Sequence, residues 1–311
     1  MRKYIYNWIW WLVVPVLATS CIKEDLDDCK NVTVCFQYFA DGDTDVLHQY
    51  MTKVDLYVFD EGGHIMGKGS YNEDELKSFA AVPSFRLNPG RYKVVAVGNP
   101  YDKTEVVNVR ATSFDEIYIQ HPEWDGDKNV DGHDHNYVGQ KTFEVKDGAS
   151  TREVVTLESA HMNVDISITG LRENTGRDGN PPYRIEIEGS NAQITFNNEI
   201  NVAEKGTCYP ELFYDAEKNI WETRELALFR VDSHDDNTVH DDCCEHVVKL
   251  YDNTTDELLV SVDLSEFLKK HTEIDLTKEE TLLPLEFEFT EVGVKVKVPD
   301  WYIEDTEPGW N

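Results

Sequence analysis

The chain has 311 residues and is strongly acidic, with 60 Asp and Glu against 29 Lys and Arg and a net charge of −31. Such a surface repels nucleic acid and anionic lipid headgroups, which excludes polyanion binding and a basic membrane-binding patch. The length suits two domains better than one.

At the N-terminus, Met1-Arg2-Lys3 precedes an apolar run over residues 4–18 dense in Trp, Ile, Leu and Val, and Thr19-Ser20-Cys21 closes it. The run falls short of the roughly 20 apolar residues a spanning helix needs, so residues 1–20 read as a signal peptide. Small residues before a cysteine resemble a bacterial lipobox, in which Cys21 would carry the acyl chains (palmitate) and become the first mature residue. One departure is Ala18, which stands where lipoboxes usually carry Leu; Leu17 lies one place earlier. Cys21-Ile22-Lys23-Glu24-Asp25 resembles the Cys-x-Lys-acidic-acidic signal that sends Bacteroidetes lipoproteins to the outer face of the outer membrane. Residues 21–30 are therefore expected to be a lipid anchor and acidic export tether, with Lys23, Glu24 and Asp25 as the signal.

From residue 31 nearly every periodic segment alternates with the two-residue period of half-buried strands. Val32, Val34, Phe36 and Tyr38 share one parity, which turns Cys35 away from the apolar set. Val54, Leu56 and Val58 share another parity. Asn72 and Glu75 have capping-box spacing ahead of Leu76 and Phe79, which predicts a short helix. In Leu87-Asn-Pro-Gly-Arg-Tyr92, Pro89 sets φ and Gly90 is expected to supply positive φ for a tight turn. Val94, Val95, Ala96 and Val97 in a row read as a strand buried on both faces.

Asp125, Asp127, Asn129 and Asp131 place oxygen side chains at every second position, and Gly132 follows at the sixth place counted from Asp127, as in the first half of an EF-hand loop. Val138 stands where the bidentate Glu belongs, so a solvated acidic loop is preferred and a weak Ca²⁺ site is the alternative. His121, His133 and His135 beside it read as surface histidines rather than a transition-metal set.

Further strands are predicted over 139–145, 152–157, 162–169, 184–188, 192–196, 225–231, 245–251, 258–262, 283–289 and 294–298, with a second short helix over 263–270. A turn-rich break at residues 146–150 divides the chain into an N-terminal β-sandwich over 31–150 and a C-terminal one over 151–311. After Cys21 the cysteines are Cys29, Cys35, Cys208, Cys243 and Cys244, an odd number, which leaves one thiol free or paired between chains. Cys208 with Cys243 or Cys244 is the leading disulfide candidate, since a vicinal bond strains the peptide between its cysteines. His240, Cys243, Cys244 and His246 are set aside as a zinc cluster, because adjacent cysteines rarely ligate one ion and an oxidising compartment favours disulfides.

The pieces Cys21-Ile-Lys-Glu-Asp-Leu-Asp-Asp-Cys29, Val54-Asp-Leu-Tyr-Val-Phe-Asp60, Leu87-Asn-Pro-Gly-Arg-Tyr-Lys-Val-Val-Ala-Val97, Tyr137-Val-Gly139 and Asn163-Val-Asp-Ile-Ser-Ile-Thr-Gly-Leu171 occur in an order that resembles the FimB-type fimbrial anchor lipoproteins of Bacteroidales. The match is strongest over residues 21–171. It implies an all-β chain of two tandem transthyretin-like β-sandwich domains, lipidated at the N-terminus. It also implies a role at the base of a surface fimbria (pilus), holding the shaft subunit to the cell outer membrane and influencing fimbrial length. It implies no active site and no cofactor.

Shaft subunits of such fimbriae resemble the anchor but are matured by a protease that cuts after Arg near the N-terminus. Between Cys21 and Phe85 this chain has no Arg, and the first after the signal peptide is Arg86, which favours the anchor that keeps its lipid. Polymer contact is expected by β-strand addition, where a neighbour's strand satisfies an open sheet edge and its alternate side chains fill pockets. Val294, Val296 and Val298 alternate with Lys295 and Lys297 as the last strand of the second half, which is also a candidate donor. The alternative function is a surface lipoprotein that binds glycan or a host protein, as an adhesin or fimbrial tip component. Exposed Trp would favour it, with Trp124, Trp221, Trp301 and Trp310 as candidates. The chain carries no Gly-x-Ser-x-Gly, His-Glu-x-x-His, Walker or dinucleotide motif, and no enzyme is expected.

Overall fold

A computed structural model describes residues 30–77, 82–111, 113–124, 130–171, 181–231 and 245–306, with residues 304–306 described by backbone alone. The first stretch of chain supplies β1 (Val32–Gln37), α1 (Leu47–Tyr50), β2 (Lys53–Asp60), β3 (Ile65–Asn72) and α2 (Glu73–Lys77). Then come β4 (Ser84–Phe85), β5 (Gly90–Gly98), β6 (Glu105–Val107), β7 (Tyr118–Gln120), β8 (Tyr137–Val145), β9 (Thr151–Thr156) and β10 (Glu158–Ser159). The second stretch begins with β11 (His161–Thr169), β12 (Tyr183–Asn191), β13 (Gln193–Thr195), β14 (Lys205–Cys208), β15 (Phe213–Asp215), β16 (Ile220–Glu222) and β17 (Leu226–Phe229). It ends with β18 (Val247–Asp252), β19 (Glu257–Asp263), α3 (Leu264–Lys270), β20 (Leu282–Thr290), β21 (Gly293–Lys297) and α4 (Asp300–Thr306). The chain is all-β, and none of its described helices is long and apolar enough to cross a membrane.

The first sandwich faces a three-stranded sheet, β4-β1-β9, against a five-stranded sheet, β10-β8-β5-β2-β3. Its core takes Val32, Val34 and Tyr38 from one sheet and Val54, Leu56, Val58, Val94 and Ala96 from the other, the parities expected from the alternation. The neighbours on β2 and β5, Tyr57, Phe59, Val95 and Val97, point the other way into a separate core. The strand through Val94–Val97 is thus buried on both faces, and this is why its apolar residues run without interruption.

The second sandwich pairs a sheet ordered β15-β16-β11-β20-β21, to which β17 adds on β11, with a sheet ordered β14-β12-β18-β19. Its core includes Ile166, Ile168, Ile185, Leu250, Leu285 and Phe287.

Two pairings cross the expected division at residue 150. β9 lies parallel to β1 over all six residues, from Val32↔Thr151 to Gln37↔Thr156, so it belongs to the first sandwich instead of opening the second. β10 likewise pairs with β8. In the reverse direction β13 pairs with β7, and with β6 they form a small sheet built from both halves.

The glycine of Tyr137-Val-Gly139 permits the first crossing. A Cβ on Gly139 would stand 2.3 Å from the Thr156 carbonyl oxygen, so a side chain there would push β8 and β9 apart. Gly90 behaves otherwise than expected. It opens β5 without the positive φ proposed for its turn, and the turn is held instead by the Tyr92 hydroxyl donating to the Asn88 carbonyl at 2.9 Å. The capping box is present: the Asn72 N–H donates to Glu75 Oε2 at 2.9 Å and the Glu75 N–H to Asn72 Oδ1 at 3.1 Å. At α3 the Asp263 carboxylate accepts from the Glu266 N–H at 3.0 Å.

Candidate functional site

β1 is paired unequally on its two sides. One side meets β9 along its whole length, while the other meets the two-residue β4 only at Val32 and Thr33, with a further bond from the Val34 N–H to the Pro83 carbonyl at 2.9 Å. Backbone groups alternate sides along a strand, so Phe36 presents its N–H and C=O on the same side as Val34. Two residues on, Tyr38 is already closed off, its N–H donating to Asp45 Oδ1 at 3.1 Å and its C=O accepting from Val46 at 2.7 Å. Among the described residues nothing pairs with Phe36 there, so along the described chain the edge between Pro83 and Asp45 is open.

A cleft of about 570 Å³ runs beside this open edge. Val34, Phe36, Leu47, Tyr71 and Leu76 line its apolar part, and Asp45, His48, Glu75, Lys77 and Arg152 give a rim of mixed charge. Burial, reinforced by Glu75, holds the Tyr71 hydroxyl above its ordinary pKa, so it stays a neutral donor. Cys35 lies half-exposed on the same cleft as a free thiol, consistent with its expected turn away from the apolar parity. An open edge beside apolar hollows is the geometry that accepts an added strand.

The expected C-terminal strand is β21, antiparallel to β20 from Glu286↔Lys297 to Thr290↔Gly293, at the end of its sheet. Val294 and Val296 pack on the second core, Val298 is buried, and Val292 at the hairpin tip is 97% exposed.

Other expected site residues scatter. Cys21, Lys23, Glu24 and Asp25, and with them Asp125, Asp127 and Asn129, lie outside the described residues. Asp131 is described, and its Oδ1 lies 3.0 Å from Lys103 Nζ and 3.8 Å from His121 Nε2. Among the described residues no three His, Cys, Asp or Glu side chains gather to hold a metal ion.

Of the histidines expected at the surface, only His135 is partly exposed. His121 and His133 are buried, and His133 stacks on Phe229 with ring centroids 3.9 Å apart, pushed down to about 3 by burial and kept neutral. His135 is bonded through Nε2 to Asn163 Oδ1 at 2.9 Å. His133 packs beside β17, with its N–H donating to the Ala227 carbonyl at 2.9 Å, so this histidine is covered by the second half.

Cys208 is a buried thiol pushed up to about 12 by burial and bonded to no described cysteine; Cys243 and Cys244 lie outside the described residues, as does His240. His246 is fully buried and neutral. The described tryptophans form no common aromatic face: Trp221 is buried in the second core, Trp124 lies against Gly206 and Trp301 is exposed, while Trp310 is outside the described residues.

Comparison with known proteins gives this architecture a family. The model of the fimbrillin-A associated anchor proteins Mfa1 and Mfa2 matches residues 26–307. The chain belongs to this family. Its fold is shared with the fimbrial anchor protein Mfa2 from Porphyromonas gingivalis, at 18% identity and a TM-score of 0.59, covering 84% of this chain and 91% of that one. A candidate polysaccharide-binding protein from Bacteroides thetaiotaomicron is similar at 15% identity and a TM-score of 0.65, covering 90% of this chain and 100% of that one. A candidate adhesin from Bacteroides ovatus is similar at 18% identity and a TM-score of 0.63, covering 90% and 96%. At such identities the likeness shows the fold alone. No curated protein sequence matches this chain. The anchor-family resemblance read from the ordered motifs is thereby borne out, and the family is one of fimbrillin-associated anchor proteins.

Proposed function

We propose that this protein is a structural, non-enzymatic lipoprotein of the outer membrane that anchors a fimbria, holding the first shaft subunit by strand addition along β1. The observation that carries this reading is the half-paired β1 beside the apolar cleft of the first sandwich. An incoming strand longer than β4 gains by replacing it. Each new backbone bond is worth only ~0.5–1.5 kcal/mol net. Each large apolar side chain seated among Phe36, Leu47, Tyr71 and Leu76 adds about 1.5–3 kcal/mol. The side chains therefore dominate, and the shaft strand should carry bulky apolar residues at alternate positions.

The N-terminal reading supports the anchor over the shaft. Cys21 holds the acyl chains, and Lys23, Glu24 and Asp25 direct export to the outer face. Arg86, the first Arg after the signal peptide, follows β4. A cut there would remove β1 to β4 together with much of the first core, instead of releasing one strand, so the lipid stays attached. With its base fixed in this way, the protein limits how the fimbria starts and thereby its length.

The test uses the thiol already in the cleft. Cells expressing the full chain and a shaft subunit with single cysteines placed along its strands are treated with a short thiol crosslinker. A Cys35-dependent adduct with one shaft strand, lost in Cys35→Ser and in Phe36→Glu, is expected. Fimbriae shed into the medium in Cys21→Ala are expected alongside. Anchored fimbriae with a Phe36→Glu protein that folds and reaches the surface would overturn docking at β1.

A further inference from the structure

Lys30 and Asn31 lead into β1 and mark one end of the first sandwich. The Asn31 N–H donates to the Phe85 carbonyl at 3.0 Å and its Nδ2 to the Leu87 carbonyl at 2.8 Å, while its own carbonyl accepts from the Thr151 N–H at 2.8 Å. The pairings Gly90↔Val145 and Asp60↔Tyr92 bring the start of β5, the β8–β9 turn and the β2–β3 hairpin to the same end. Tyr38 and Tyr137 lie at the other end, where their hydroxyls donate to Glu280 Oε1 of the second half at 2.5 and 3.0 Å. β8 runs nine residues between the two ends, roughly 30 Å at the rise of a strand.

Charge divides along the same axis. The chain carries −31, yet the turns that close the Lys30 end are balanced, with Lys30, Arg86, Arg91 and Lys146 against Asp60, Glu61, Glu144 and Asp147. One of these carboxylates is held within its own hairpin, Asp60 Oδ1 accepting from the His64 N–H at 2.8 Å. At the opposite end the loop after β1 holds Asp41, Asp43 and Asp45, with no Lys or Arg among residues 38–46. Ile65 and Met66, 37% and 49% exposed, open β3 beside the balanced turns and give this end apolar surface as well.

We propose that the Lys30 end of the first sandwich is a membrane-facing surface that rests on the lipid phosphates of the outer membrane, Lys30 and Lys146 turned to the headgroups and Ile65 and Met66 to the acyl boundary. The proposal rests on the lipid reading of Cys21 given above and is independent of which edge the shaft subunit occupies. Lys30 follows Cys21 by nine residues, and a fully extended chain of that length reaches at most about 30 Å. Whatever path the tether takes, this end stays within that reach of the bilayer. Screening confines repulsion to charges within about 8 Å of the headgroups, so the parts of the protein nearest the membrane decide its orientation. An anionic surface repels the acidic remainder and spares the balanced end, so the arrangement with this end down costs least. The acyl chains supply the hold, and this surface sets the orientation, with the Glu280 contact and the second sandwich on the side away from the membrane.

The test places the mature chain, carrying Cys21→Ala and an N-terminal hexahistidine, on vesicles of phosphatidylcholine and phosphatidylglycerol that hold a nickel-chelating lipid, so no acyl chain is required. A fluorescent amino acid replaces either Ser150, exposed in the β8–β9 turn, or Val292, at the hairpin tip beyond the nine residues of β20. Nitroxide-labelled headgroups should quench the probe at Ser150 several-fold more than the probe at Val292. Lys30→Glu combined with Lys146→Glu should remove most of that difference, and Met66→Glu should reduce it. Equal quenching at the two positions, or a difference that the double substitution leaves unmoved, would overturn the proposal. In cells, an alkynyl fatty acid should label the wild type and not Cys21→Ala. Absent labelling would remove the lipid reading and this surface with it, whereas labelled protein with an unquenched Ser150 probe would overturn this surface alone.

Discussion

Gly139 and Gly170 show how much one missing Cβ decides. Gly170 has a φ of +79° and a Cβ there would meet the Phe289 carbonyl oxygen at 2.0 Å, where β11 ends against β20. Gly139 has no positive φ, so its need for glycine comes from contact alone, the 2.3 Å approach of the Thr156 oxygen. Gly139→Ala is expected to destabilise by ~1–3 kcal/mol or more, since backbone cannot step aside as a flexible side chain does. Gly148→Ala is the control, because it has a φ of +66° and nothing within 4 Å, so it should cost only ~1–2 kcal/mol for the left-handed backbone. Denaturant midpoints of the two variants separate contact from conformation, and a Gly139 variant no worse than the Gly148 variant would refute the close-packing account. The sequence motif showed that Gly139 sat beside Tyr137 but not which strand it accommodates. The burial of His133 was equally hidden, because a loop rich in His, Asp and Gly has the composition of an exposed turn and nothing local reveals the strand packed over it.

Elements with a complete local signal were legible. The box at Asn72 and Glu75 needs only residues three apart, and it forms a five-residue helix on the rim of the cleft. Such a helix is far below the roughly 12–15 residues that hold together alone, so its cap and its contact through Leu76 sustain it. Asn72→Ala should therefore cost about 1 kcal/mol. It should also raise amide hydrogen exchange over Glu73–Lys77, with the exchange of β5 unchanged; an unchanged helix would show that packing alone holds it. β3 escaped notice although it spans eight residues, because Gly67 and Gly69 take the places of the apolar half of its alternation. Those positions lie under Phe85 and Tyr71, where the aromatic rings supply the cover that side chains on β3 would have given. The cleft itself was only half legible: the parity of β1 was visible, whereas the shortness of β4, which leaves the edge open, is a property of pairing between segments some fifty residues apart.

At the scale of the molecule, the two sandwiches are not beads on a string. The pairing of β13 with β7 brings Ile194 and Phe196 from the second half onto Tyr57, Phe59, Val95 and Val97 of the first, with Phe229 and Ala160 closing the same core. No sequence period encodes a pairing between residues 118–120 and 193–195, which is why the break at 146–150 read as a clean boundary. Phe196 is the keystone of this contact, fully buried, with ring centroids 5.2 Å from Tyr57 and 6.2 Å from Phe59. Phe196→Ala should cost ~3–5 kcal/mol. A loss of similar size from Leu250→Ala falls within the second core alone and serves as its counterpart. If the shared core couples the halves, Phe196→Ala should split a single calorimetric transition into two, one for each sandwich, while Leu250→Ala lowers the transition of its own sandwich. Identical single transitions in both variants would mean that the chain crossings and the hydrogen bonds from the Tyr38 and Tyr137 hydroxyls to Glu280 hold the halves together without this core. If a fimbria pulls on β1 as proposed, the coupling matters directly, since that force would reach the second sandwich through shared contacts such as these.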